Sequence, residues 1–416
     1  MSVRARELAS LAEALAAVLP LTEPADATLH RFFRRHPRLG QHDRAFVAEG
    51  VFAALRRLRS LTAQAEGNEP RRLAIASAIR ELGLSLRELE PALSAEELDW
   101  ARAFKSRRSA ADGAEAADLP DWLWEALGNA LPDERDGLAR AWLAPAPLDL
   151  RINPLKTTRD EAQAALAADG IASFPTPYSP LGLRVAGKPA LQRHALFASG
   201  AIEVQDEGSQ LLGYLVAPKR NDMVVDFCAG AGGKTLLLGA LMRSQGRLYA
   251  FDVSAKRLAN FKPRLARSGL SNVHPLQIEN ERDRHVKRLA GKADRVLVDA
   301  PCSGFGTLRR NPDLKWRQRP GAIAELAAKQ ARLLAAAATL VKPGGRLVYA
   351  TCSVLREENE AIVEGFLAGH ADFAPGDAAA ELARAGIALD TGRMLHLYPH
   401  RHGCDGFFAA VLERAK

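Results

Sequence analysis

Along the first third of the chain, apolar residues recur every three or four positions: Leu8, Leu11, Leu15 and Val18, then Phe46, Val47, Val51, Leu55 and Leu58, then Ile75, Ile79 and Leu82. Such spacing lays an apolar stripe along one face of a helix, and successive stripes predict a helical bundle over residues 1–144. KSRRSAADGAEAAD, from Lys105 to Asp118, is polar and rich in small residues, which predicts a mobile loop between helices. Pro145 and Pro147 break the helical pattern, and PLDLRINPLKTTRDEAQAALAADGI predicts a strand, a turn and a helix capped by Thr157 or Thr158. A small α+β segment is therefore expected over 145–215, as a linker that also touches the substrate. From 216 to 416 the short apolar runs MVVDF, RLYAFD, RVLVDA and RLVYAT alternate with helical stretches. Alternation of this kind predicts an α/β domain with a doubly wound, mostly parallel sheet.

At 416 residues the chain is long enough for two or three domains with cores of their own. Its four cysteines, none in a CxxC pair, make neither a disulfide framework nor a zinc set, so a reducing cytosol and no metal are expected. The charged start MSVRARELASLAEAL lacks a signal peptide's apolar core, and no uncharged run approaches the ~18 residues of a membrane span. The expectation is a soluble, cytoplasmic protein that does not enter a membrane. A net charge of +8 and a pI near 9.4 point to a polyanionic partner such as nucleic acid.

In a doubly wound sheet, ligands bind beyond the carboxyl ends of the strands. Asp226, Asp252, Asp299, Cys302 and Cys352 all fall at or just past such ends. In the first turn, DFCAGAGGKT, the glycines Gly230, Gly232 and Gly233 let the backbone approach a ligand before a helix begins. The expected cofactor cradle is Asp226, Cys228, Ala229, Gly230, Ala231, Gly232, Gly233 and Lys234, with Asp252 on the next strand accepting from ribose hydroxyls. GGKT also ends a phosphate-binding loop, but that motif needs glycine where this chain has Cys228. S-adenosylmethionine suits the turn better, because its sulfonium is positive and needs no anion cradle.

DFCAGAGGKT, VDAPCSGFGTLRRNPDLKW, KPGGRLVYATCS and PHRHGCDGFFAAVL together resemble the motifs of the Nop/Sun RNA 5-methylcytosine methyltransferases, in particular the bacterial 16S ribosomal RNA methyltransferase B type. FFRRHPRLGQHDRAFVAEGVFAALRRL is similar to the NusB-type helical RNA-binding domain of bacterial members, and FASGAIEVQDEGSQL to the lead-in to their catalytic domain. The resemblance implies a class I S-adenosylmethionine-dependent fold and transfer of a methyl group to carbon 5 of a cytosine in RNA, most simply 16S ribosomal RNA, by a monomer. The same chemistry on transfer RNA, or a non-enzymatic RNA-binding protein, are the alternatives.

Carbon 5 of cytosine is a poor nucleophile until a thiolate adds to carbon 6. The resemblance assigns that attack to Cys352, and proton removal and release to Cys302. On motif alone Pro301-Cys302 also fits the attacking role, as in DNA cytosine methyltransferases. Asp299 is implied against the amidine edge of a flipped cytosine, favouring protonation at ring nitrogen 3, with Lys234 in the same site. The family's adenine-side aspartate is replaced here by LQIENERD, where Glu279 or Asn280 takes the role. Cys228 and Cys404 lack such motifs and read as small buried side chains. LRRNPDLKWRQR, with Arg309, Arg310, Lys315, Arg317 and Arg319 around Trp316, reads as a phosphate-contacting stretch; Arg31, Arg34, Arg35, Arg38, Arg44, Arg56, Arg57 and Arg59 form a second basic cluster.

Overall fold

The apolar stripes become the helices Val3–Val18, Gln41–Arg56 and Pro70–Arg80. Leu8, Leu11, Leu15, Val47, Val51, Leu55 and Ile75 are fully buried between them. Gly50 allows the first two helices to touch, since a Cβ there would lie 2.8 Å from the Leu11 side chain. The structure, a computed structural model, describes residues 3–107 and 112–416. It divides into two units, 1–145 with 307–320, and 146–306 with 321–416. The stretch read as a mobile loop is partly ordered: Lys105 and Ser106 end the helix Ala95–Ser106, and Gly113–Ala116 forms one helical turn. Residues 108–111 lie outside the described residues. Among the described residues, no helix is long and apolar enough to cross a membrane.

Thr307–Pro320 folds as part of the helical unit, and of the cations expected to contact phosphate it buries Arg309 and Lys315. Lys315 Nζ donates to the Arg56 carbonyl at 2.8 Å, and Trp316 Nε1 to that of Leu55 at 2.7 Å. These carbonyls sit at the C-terminus of helix Gln41–Arg56, where the helix itself supplies no donors. Arg309, Asp313 and Lys315 are buried, and burial pulls the Lys315 ammonium down to about 7. Arg310 and Arg317 are half-buried, which leaves Arg319 exposed.

The second unit begins with a small antiparallel sheet of β1 (Leu148–Ile152), β2 (Ser173–Pro175), β3 (Gly182–Val185) and β4 (Ile202–Val204), in the order β2-β3-β1-β4. Helix Arg159–Ala168 is capped by Thr158, whose hydroxyl accepts from Glu161 N at 3.3 Å while the Glu161 carboxylate accepts from Thr158 N at 2.9 Å. Helix Glu207–Val216 closes this segment, but Leu211, Leu212, Leu215 and Val216 are buried in the core of the larger sheet. That core therefore begins before the boundary expected at 216.

The larger sheet contains β5 (Met223–Asp226), β6 (Arg247–Asp252), β7 (Val273–Gln277), β8 (Ala293–Asp299), β9 (Val341–Thr351), β10 (Phe373–Pro375), β11 (Met394–Leu397) and β12 (Phe407–Arg414). Its order is β10-β12-β9-β8-β5-β6-β7, with β11 also paired to β12. The run from β7 to β9 is parallel, and β12 lies antiparallel beside β9. Strand order reverses between β5 and β8, which opens a crevice at their carboxyl ends.

Candidate active site

After β5 the chain turns through Gly230 and Gly232, whose φ angles of +57° and +82° lie in the left-handed region. At Gly232 a Cβ would also come within 2.0 Å of the Phe261 ring, so this glycine packs the turn against its neighbouring helix. Asp252, at the end of β6, accepts from Gly230 N at 2.8 Å and from Ser254 N at 2.7 Å. Arg264 Nη1 donates to Ala231 O and Arg151 Nη1 to Gly233 O, both at 2.6 Å. Arg151 is buried, and burial pulls its guanidinium down to about 10. Arg264 in turn pairs with Glu203 at 3.0 Å.

This turn forms one wall of a cleft of about 810 Å³. Asp226, Cys228, Ala229, Gly230, Ala231, Gly233, Lys234, Asp252, Glu279, Asn280, Asp299, Cys302 and Cys352 all border it. Gly232 is not in that lining, and its part in the turn is the packing against Phe261. Val253 stands 53% exposed, unusual for a large apolar side chain, and with Ile278 gives the cleft an apolar border. Asn280 Oδ1 is occupied by Arg282 N at 2.8 Å. Asp226 is buried: its Oδ2 accepts from Thr235 Oγ1 at 2.6 Å, and among the described residues its Oδ1 has no partner within hydrogen-bond geometry. Burial, reinforced by the charge of Asp299, pushes the Asp226 carboxyl up to about 7.

Strands β8 and β9 bring the remaining groups together. Lys234 Nζ lies 2.6 Å from Asp299 Oδ2. Burial opposes the charge on Lys234, but Asp299, Cys352 and Asp226 outweigh it and hold the ammonium above its ordinary value. Cys302 Sγ and Cys352 Sγ stand 3.4 Å apart although 50 residues separate them in sequence. The hydrogen bond to Cys352, then burial, then the charge of Cys352 push the Cys302 thiol well up. Cys228 is also pushed up, by burial first, which suits an inert side chain, and Cys404 is buried.

Residues 213–413 match the family described as 16S rRNA methyltransferase RsmB/F, and residues 119–192 match the ferredoxin-like domain described for RsmF/B-like methyltransferases. A probable ribosomal RNA small subunit methyltransferase B of Synechocystis is 35% identical over 432 residues, covering 94% of this chain and 95% of that protein. The chain belongs to the RsmB/F family. The crystal structure of PH0851 superposes with a TM-score of 0.81 at 26% identity, covering 100% of both chains. A methyltransferase homolog protein from Pyrococcus horikoshii gives 0.62 at 27% identity, covering 73% of this chain and 98% of that one.

As an RsmB/F protein the chain is an S-adenosylmethionine-dependent rRNA methyltransferase, with the class I fold its motifs led one to expect. The cleft fits that cofactor. The left-handed turn admits a nucleoside, Asp252 keeps acceptor capacity beyond its two backbone bonds, Val253 and Ile278 offer apolar surface to a base, and the open Asp226 Oδ1 suits a cationic tail. Sequence reasoning missed the braces Arg151, Arg264 and Glu203, which carry no local motif. It also missed the buried groups behind the cysteines, although Cys-Ser occurring twice was the visible signal.

Proposed function

We propose that this RsmB/F member methylates carbon 5 of a cytosine in 16S ribosomal RNA by covalent catalysis, with Cys352 as nucleophile and Cys302 as the group that completes release. The observation that carries this reading is the 3.4 Å sulfur pair beside the Lys234–Asp299 ion pair, in the same cleft as the glycine turn. The ribosomal substrate follows from the names of the relatives.

A cytosine flipped out of its strand presents its amidine edge to Asp299, and the carboxylate favours protonation at ring nitrogen 3. Lys234 holds Asp299 in place and lends positive charge to a thiolate at Cys352. The thiolate adds to carbon 6, which makes carbon 5 enamine-like. S-adenosylmethionine, when bound by the turn and Asp252, supplies the electrophilic methyl group. While Cys352 is anionic, its charge and its hydrogen bond keep the proton on Cys302. Bond formation to carbon 6 removes these two causes while burial and the charge of Glu358 remain, so the proton on Cys302 is held less tightly. In this reading Cys302 gives its proton to solvent and then takes the proton from carbon 5. The double bond between carbons 5 and 6 re-forms, and the Cys352–carbon 6 bond breaks.

In the helical unit, Arg31 pairs with Glu23, Arg44 caps carbonyls, Arg56 donates to Arg309 O, Arg57 pairs with Glu81, and Arg59 with Asp121. Within the basic cluster, Arg34, Arg35 and Arg38 are exposed, and their side chains have no partner among the described residues. These three are the phosphate contacts in this reading.

Denaturing gel electrophoresis with labelled RNA tests the cysteine roles. Cys352→Ala is expected to give neither methylated product nor adduct, and Cys302→Ala to accumulate methylated RNA tethered through Cys352. An adduct trapped by Cys352→Ala instead reverses the assignment. Bisulfite sequencing of ribosomal RNA from cells with and without the gene identifies the cytosine, and a pattern that does not change rejects carbon 5.

A further inference from the structure

Each active-site cysteine is followed by a serine, and the proposed chemistry uses neither hydroxyl. Both serines point to one carboxylate. Glu358, fully buried in the turn Arg356–Glu358, accepts through Oε2 from Ser303 Oγ and from Ser353 Oγ, each at 2.5 Å. Its Oε1 accepts from Ser303 N at 2.8 Å and from Gln330 Nε2 at 3.0 Å. The Gln330 amide also donates to Pro301 O at 3.0 Å, on the residue before Cys302. Asn359 grips the second turn, donating to Ser353 O at 3.1 Å.

A buried carboxylate is costly unless its lone pairs are filled, and here four donors fill them. All of them come from the residue after each cysteine or from the glutamine that holds Pro301. An apolar residue of similar size would pack this core at lower cost, but it would leave the two Cys-Ser turns unconnected.

We propose that Glu358 is a positioning residue that clamps the two Cys-Ser turns to one another and thereby sets the spacing of Cys302 and Cys352, an inference that rests on the two-cysteine reading above for its consequence in the reaction. Its negative charge also lies among the causes that keep Cys302 protonated. Where the clamp opens, the sulfurs drift apart, and a misplacement of about 1 Å costs roughly 100-fold in methyl transfer.

Phenylarsine oxide tests the spacing without RNA or cofactor. It condenses with two adjacent thiols: two As–S bonds form, the oxygen leaves as water with both thiol protons, and nothing is oxidised or reduced. The wild-type protein is expected to capture one equivalent tightly, and Cys302→Ala not to. Glu358→Ala is expected to lose capture by tenfold or more while S-adenosylmethionine affinity stays within twofold. Glu358→Gln keeps an oxygen for the two N–H donors and an amide that donates to both serine oxygens, so capture returns to within threefold of wild type. Ser303→Ala removes one arm and serves if Glu358→Ala does not fold; it should fall between wild type and Glu358→Ala. A folded Glu358→Ala or Ser303→Ala protein that captures the arsenical like wild type overturns the proposal. So does a Glu358→Gln protein that fails as fully as alanine. A wrong assignment of the reaction itself would appear only in the RNA assays, because the arsenical reads sulfur spacing alone.

Discussion

Asp226→Asn tests whether the buried carboxylate at the end of β5 serves the cofactor. Asp226 is 1% exposed, and among the described residues its Oδ1 has no partner within hydrogen-bond geometry. Burial raises its pKa from 3.8 to about 7. About a tenth of it is then ionised at pH 6 and about nine tenths at pH 8, since each unit is a factor of ten, or about 1.4 kcal/mol. S-adenosylmethionine carries a sulfonium and an ammonium, which favour the ionised carboxylate. Wild-type affinity is therefore expected to fall about tenfold from pH 8 to pH 6, with close to one proton released on binding at pH 6. Calorimetry in two buffers of different ionisation enthalpy counts that proton. The quantity to compare is the ratio of wild-type to Asp226→Asn affinity, because the ligand's own amine titrates equally in both. In the unliganded protein the same shift means that stability is fully present below pH 3.8 and is lost as pH rises through about 7, a loss that Asn removes. An affinity ratio that stays constant between pH 6 and 8 would refute the reasoning.

Asp252→Ala removes the ribose acceptor and also the acceptor for Gly230 N, so cofactor affinity is expected to fall by roughly 1.5–3 kcal/mol, read by titration calorimetry. Unchanged affinity in the folded variant rejects the assignment. Replacing Arg34, Arg35 and Arg38 together with Ala should lower the salt slope of RNA binding by about 2–3 while cofactor binding is retained; an unaltered slope would show that these cations do not meet phosphate. Gly232→Ala places a Cβ 2.0 Å from Phe261 at a φ of +82° and is expected to cost about 2–5 kcal/mol in chemical denaturation. Gly230→Ala meets open space and should cost only about 1–2 kcal/mol for its backbone, so equal losses would show that packing is not what sets Gly232 apart.

Three helices of the first unit and the parallel strands β5, β6, β8 and β9 were legible in the sequence because periodicity is local: it records which face of each element is buried. The same holds for the glycine turn, whose left-handed positions need glycine whatever surrounds them, and for Asp252, which the length of the β5–β6 unit carries to a strand end. Thr157 and Thr158 could not be separated by pattern, because the choice depends on which hydroxyl meets Glu161 N; in the structure it is Thr158. The edge strand β7, with His274 and Pro275, carries no clear apolar alternation, since an edge leaves part of its surface and some of its N–H groups unpaired.

Tertiary structure alone decided which residues meet. Cys302 and Cys352 approach because β8 and β9 are parallel neighbours with Asp299 opposite Ala350, a register no local pattern encodes. Arg151 and Arg264 reach the glycine turn from distant segments, and Glu358 joins the two serines, because hydrogen-bond partners are chosen by proximity in space. The basic stretch after Cys302 shows the same limit from the other side. Its charges read as a phosphate-contacting stretch, yet Lys315 lies buried against the open carbonyls of a helix end, and the position of that helix end is set only by the folded chain.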